Sequence, residues 1–154
     1  MISSLRGNYM TDNLIITRFW QDIDFFQIQV ECKTEFIAVR GNVYTTDNLI
    51  DELYNKIEIF LSGEADSTCW QNGTRGDVTT PCVAFRFSHK DVLGHVLIEV
   101  FMEIDDGGTL NTHTCCFFVN TEIGLLSKFK EKLPKLKMPQ LGIRISLDDI
   151  GDGN

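Results

Sequence analysis

Residues 81–106, PCVAFRFSHKDVLGHVLIEVFMEIDD, decide the fold. Val83, Phe85 and Phe87 alternate with other residues, and Val96, Ile98, Val100, Met102 and Ile104 do the same beyond the turn-prone SHKDVLGH. A period of two sends successive side chains to opposite faces, so the two runs predict a long antiparallel hairpin with one apolar face. Asp105-Asp106-Gly107-Gly108 predicts a second reversal. HTCCFFVN (113–120), rich in β-formers, then predicts the third strand of a meander.

Outward from this hairpin, Phe26, Ile28, Val30 and Cys32 alternate with Gln27, Gln29 and Glu31, a strand with one buried and one wet face. FIAVRGNVY (36–44) predicts its hairpin partner, with a bulge at Gly41 where the alternation loses step. LIITRF (14–19) predicts a short edge strand, and LGIRISL (141–147) another. From Thr45 the period lengthens to 3.6, with Leu49, Ile50, Leu53, Ile57, Phe60 and Leu61 on one stripe. Thr46, Asp47 or Asn48 can cap this helix and Gly63 can stop it. A second helix is predicted over 121–133, with Ile123, Leu126, Phe129 and Leu133 facing inward, Lys128, Lys130 and Lys132 outside the stripe, and Pro134 as its end.

Residues 64–80, EADSTCWQNGTRGDVTT, predict a long polar loop that Trp70, its one large apolar residue, pins to the core. Loops beyond about 12–15 residues are uncommon in compact domains and are often functional. Within it, Arg75-Gly76-Asp77 is a chance match to an adhesion triplet, and Asn72-Gly73-Thr74 is an unused glycosylation sequon. The expected fold class is α+β, a mainly antiparallel sheet of five to seven strands with two helices packed on it. The expected organisation is a flexible extension over 1–12, one domain over 13–147 and an acidic tail over 148–154.

The 154 residues suit one core, and 43% hydrophobic content is globular. The formal charge of −8 disfavours nucleic acid and anionic membrane as partners and favours a basic protein. It is unevenly spread: residues 1–126 hold eight Lys/Arg against eighteen Asp/Glu, 127–147 hold six against one, and the tail adds three Asp. The basic helix reads as a solvated face or as a contact for the acidic surface of a second copy, so a homodimer is a candidate assembly. The start has no secretory h-region and no apolar run reaches spanning length, so a soluble cytoplasmic protein is expected, with Met10 as an alternative start. Five cysteines without paired spacing suit free thiols in a reducing compartment.

No residue pattern carries catalysis. Zinc sites want C-x-x-C or H-x-x-x-H pairs, and His89, His95 and His113 supply none. There is no G-x-S-x-G elbow, no glycine-framed cysteine and no G-x-x-x-x-G-K-S/T loop. Glu99 and Glu103 share a face with Leu97 and Phe101, a mixture that suits a contact surface more than a glycosidase cleft. DDIGDG (148–153) lacks the ligand pattern of a calcium loop. No metal or cofactor is expected, and the chain is not expected to be an enzyme.

The D-F-F-x-I-x-V strand (24–30), Trp70 ahead of Gly73, the Gly94-His95-Val96 entry to a strand, and a closing helix after a hydrophobic strand resemble small immunity or uncharacterised proteins of bacterial polymorphic-toxin loci, including the immunity partner of the wall-associated toxin. The likeness spans roughly residues 20–135. It implies a non-enzymatic protein that binds a basic toxin domain, a nuclease for instance, and occludes its active site. Contacts are then expected on the long loop and the acidic turn, at Asp66, Trp70, Arg75, Asp77, Asp105 and Asp106. The competing expectation is a ligand-binding or catalytic domain with a pocket under residues 64–80, using His95 and a carboxylate.

Overall fold

The computed structural model describes residues 12–77, 80–105 and 112–148. The central hairpin forms as β5 (Val83–His89) and β6 (His95–Asp105), with Phe85 opposite Val100 and Phe87 opposite Ile98. β7 (Thr112–Glu122) continues the meander on the far side of β6. On the near side of β5 lies β4 (Ser67–Asn72), so a strand runs through the segment expected to be a loop. Its inward positions are Thr68, Trp70 and Asn72, so only one large apolar residue marks the alternation. The two polar residues are buried because helix and strand carbonyls receive them: Thr68 Oγ1 donates to the Lys56 carbonyl at 2.9 Å and Asn72 Nδ2 to the Tyr44 carbonyl at 2.8 Å.

A second four-stranded antiparallel sheet has the order β3-β2-β1-β8, where β1 is Asn13–Gln21, β2 Phe26–Lys33, β3 Ala38–Thr45 and β8 Arg144–Ser146. The α+β class therefore holds, but with eight strands in two sheets rather than five to seven in one. The first strand is not an edge. It lies between β2 and β8, and Leu14, Ile15 and Ile16 are all buried. Covering on both faces is what blurs its alternation in the sequence.

The bulge lies in β1, not at Gly41. Pairing runs unbroken along β2 and β3, whereas β1 shifts register between Arg18 and Trp20, so Phe19 and Trp20 together face Gln27. Gly41 serves a close approach between the sheets: a Cβ there would sit 3.3 Å from Ile104 Cγ1 and 3.5 Å from Met102 Sδ.

α1 (Asp47–Ser62) starts at Thr46, whose hydroxyl accepts from the Leu49 N–H, and ends at Gly63, in the left-handed region at φ 84°. Ile50, Leu53, Ile57 and Phe60 face inward. Phe60 packs on Phe87 and stacks on the His89 ring, with centroids 6.3 and 4.4 Å away. α2 (Ile123–Lys132) draws its first N–H bond from the Gly94 carbonyl at 3.0 Å, joining it to the β5–β6 turn. α2 stops at Lys132, just ahead of Pro134 as expected, and the chain continues as a 3-10 turn, Leu133–Lys137, whose Leu133 and Leu136 are buried. Lys130 is not on the solvated face either. It is buried beside the Tyr54 ring, and its ammonium is held by Glu58 of α1 and by Glu131.

One hydrophobic cluster joins both sheets and both helices. Among the described residues no helix is long and apolar enough to cross a membrane.

Candidate binding surface

The two sheets differ in what their outer faces offer. On the outer face of β1–β3, Trp20 meets Tyr44 edge-on at 6.0 Å between centroids, and Phe25 meets Tyr44 at 6.2 Å. Trp20, Phe25 and Tyr44 are 42%, 49% and 43% exposed, and Ile23, in the turn between β1 and β2, is 96% exposed. Rings that expose nearly half their area in one cluster are costly in water and mark contact surfaces. The turn is closed by hydrogen bonds: Asp22 Oδ1 accepts the N–H groups of Asp24 and Phe25 at 2.8 and 2.9 Å, and the Asp22 N–H donates to the Phe25 carbonyl at 2.9 Å. Those bonds, from Phe25 first and then Asp24, hold the Asp22 carboxyl below its ordinary pKa.

This aromatic ridge separates two grooves. One, of about 460 Å³, is lined by Gln27, Gln29, Arg40, Asn42 and Tyr44 of the sheet face and by Pro81, Ile104 and Asp105 across from it. Its floor is amide-rich: Gln29 Nε2 donates to Asn42 Oδ1 at 3.2 Å. The other, of about 500 Å³, lies between the β1–β2 turn and the start of α1, and includes Arg18, Asp22, Asp24, Phe25, Asp47 and Lys137. Arg18 is buried there, over the Phe26 ring at 3.8 Å, with Nη1 donating to the Leu136 carbonyl at 2.7 Å and Nε to Gln21 Oε1 at 2.9 Å. Burial pulls its guanidinium below the ordinary value and Asp47 opposes that pull.

The contact residues expected from the sequence fall in different places. Arg75 lies with its guanidinium 3.8 Å over the Phe101 ring, on the outer face of β4–β7. The loop that carries it is tied down by Glu103, a buried carboxylate at the Asp105 end of β6. Glu103 accepts the Gly76 N–H at 2.8 Å and the Cys82 N–H at 2.9 Å. Arg75 and Asp77 therefore belong to the same end of the molecule as Asp105. Asp66 does not. It precedes β4, whose Ser67 pairs with Ser88, and Ser88 pairs with Leu97. About eight residues of β6 separate that level from Asp105, on the order of 27 Å of strand. Asp106 lies outside the described residues.

Trp70 leaves the contact set. It is 1% exposed, its Nε1 donates to the Leu49 carbonyl at 2.9 Å, and its ring tilts on Phe85 at 5.0 Å, so no face is left for a partner. The sequence did not single out Trp20, Phe25 and Tyr44. Parity carries the signal for Tyr44 alone, which stands exposed between buried Val43 and Thr45; Trp20 shares the parity of buried Leu14, Ile16 and Arg18, and the β1 bulge turns it outward.

The polar candidates also separate. His95 and His113 pair with Glu122 and Ile104, at opposite ends of β6, while His89 stacks on Phe60. His95 Nδ1 lies 2.6 Å from Asp91 Oδ2 in the exposed β5–β6 turn, and that bond, the largest of several causes, lowers the Asp91 pKa. His95 thus sits away from residues 73–77. The depression beside Arg75, with Cys69, Gln71, Arg86, Glu99 and Phe101, measures about 240 Å³, below the roughly 300–1,000 Å³ of ligand pockets. Among the described residues no group of three or more His, Cys, Asp or Glu is placed to hold a metal ion. Lys130 and Lys137 of the basic segment are engaged within the chain, Lys137 Nζ with Asp51 Oδ1 at 2.7 Å.

Comparison with protein-family models, with curated proteins and with solved structures gives no match.

Proposed function

We propose that the chain is a non-enzymatic, immunity-type binding protein that acts in the cytoplasm and neutralises a basic toxin domain, such as a nuclease, by covering its active site. The observation that carries this reading is the exposed Trp20–Tyr44–Phe25 ridge between two grooves on a molecule of formal charge −8. Aromatic side chains in such a setting supply affinity, because a partner removes their exposed area from water. The surplus of carboxylates supplies speed and choice of partner, since opposite fields steer encounter and like charge rejects polyanions. The resemblance across residues 20–135 to immunity proteins points to the same role.

On this reading the acidic contacts gather at the groove end, where Arg75, Asp77 and Asp105 lie. Asp66, at the other end of β4, gives an internal comparison. The proposal expects a gene for a large secreted toxin immediately upstream, and the test is co-purification with the C-terminal domain of that toxin, followed by charge reversal. Reversing Asp77, Asp105 and Asp106 together is expected to weaken binding and flatten its salt dependence, and reversing Asp66 is expected to do less. Unchanged affinity after all four reversals sinks the placement of the contacts. Failure of the wild-type chain to bind that domain sinks the function.

A further inference from the structure

Resting on that reading of the chain as an occluding binder, the geometry points to one kind of contact residue on the partner. The groove between the β1–β2 turn and the start of α1 receives a lysine or arginine side chain of a basic protein, while an apolar residue of the same protein packs on Trp20 and Ile23.

The groove's own cations are already committed. Arg18 is buried, bonded to Leu136 and Gln21 and stacked on Phe26. Lys137 is bonded to Asp51. Its acids are only partly matched. Asp47 acts electrostatically on Arg18 and Lys137, Asp22 spends one oxygen, Oδ1, on the turn, and no described residue forms a hydrogen bond with the carboxylate of Asp24. The half-exposed Phe25 ring stands beside them, and a cation placed against it gains both the ring quadrupole and the carboxylates. An anion fits poorly. The positive end of α1 already has Asp47 in its first turn.

The adjoining rings sharpen the identity of the occupant. Trp20, Phe25 and Tyr44 would stack well on nucleobases, but single-stranded nucleic acid needs a positive track for its phosphates, and Asp22, Asp24 and Asp47 provide the opposite. A protein segment with a basic residue next to an apolar one satisfies both halves of the surface.

The chain has two tryptophans, which makes the test direct. The upstream toxin domain is titrated into wild type, Trp20→Ala and the double variant Asp24→Asn/Asp47→Asn, and acrylamide quenching of Trp20 is followed in the wild-type complex. Each variant is expected to bind at least about tenfold more weakly, and docking is expected to shield Trp20 from quencher. In Trp20→Ala the remaining emission comes from Trp70 in the core, so an unshifted blue emission shows that the fold is intact. If the wild-type complex forms but both folded variants bind equally well, or Trp20 stays open to quencher, this docking site is wrong while the occlusion reading stands. If wild type does not bind the domain, both fall. Equal shielding of Trp20 by a single-stranded oligonucleotide or by neutral phosphatidylcholine vesicles overturns the assignment to a basic protein.

Discussion

Two aromatic clusters of similar geometry serve opposite ends in this molecule. Inside, Trp70 tilts on Phe85 at 5.0 Å, and Phe85 meets Phe87 and Phe87 meets Phe60, each at 6.3 Å. Outside, Trp20, Tyr44 and Phe25 meet at 6.0 and 6.2 Å. Ring spacing does not distinguish them; solvent does, with Trp70 at 1% and Trp20 at 42% exposure. The inner cluster gains its free energy when the chain folds. The outer one gains only part of it then, and the rest stays available for a second molecule.

The largest effect expected from breaking this contrast is at Trp70→Ala, which empties a core position and leaves the Leu49 carbonyl without its donor. A loss of about 3–5 kcal/mol in urea unfolding is expected. A loss under about 1 kcal/mol would show that the interior cluster is not what holds α1 to β4 and β5. Next comes Glu103→Ala, which removes the acceptor of two backbone N–H groups. It should cost about 1–3 kcal/mol and open residues 73–77 to trypsin at Arg75, read as faster cleavage at fixed protease. Trp20→Ala is the mirror of the first variant: a stability change of no more than about 1 kcal/mol, against a large loss of affinity for the proposed basic partner. If stability fell as far as for Trp70→Ala, the outer rings would be part of the core after all.

Smaller still is a pH effect. Glu58, acting first, raises the Lys130 pKa above its ordinary 10.5. The folded protein therefore holds that proton more tightly than the unfolded chain. The resulting stability is complete below pH 10.5 and is lost as pH rises through the folded-state value. Lys130→Met should lack this alkaline step in a series of thermal melts. The smallest effect is chemical: Cys69 and Cys116 are exposed and should react with a thiol reagent in the native state, whereas Cys32, buried and pushed up to about 12, should react only on unfolding. Rapid native labelling at Cys32 would mean that β2 opens easily.

Much of the scaffold was legible because its periodicities are strong. The β5–β6 hairpin and α1 with its Thr46 cap and Gly63 stop follow from apolar spacing and two end residues. What stayed hidden has physical reasons. β4 buries a threonine and an asparagine through hydrogen bonds to distant carbonyls, and such bonds leave no hydropathy signal. β1 loses its alternation because both its faces are covered. Lys130 looked solvated because its acidic partner Glu58 lies 72 positions earlier in the chain. The ridge was missed for a different reason. Aromatic residues are strong strand formers and core formers alike; parity separates the two uses at Tyr44, while at Trp20 it misleads, because the bulge after Arg18 reverses the side that Trp20 takes.

The bulge in β1 bears on how such a surface can vary. Phe19 and Trp20 occupy one pairing position opposite Gln27, with Arg18 before them and Gln21 after them each facing a β2 residue in step. Removing Phe19 would restore regular alternation without turning any of the inward side chains. Loss of that single residue would therefore leave Trp20 opposite Gln27 and Gln21 opposite Phe26, so one surface ring can be removed while the inward pairings of β1 keep their neighbours.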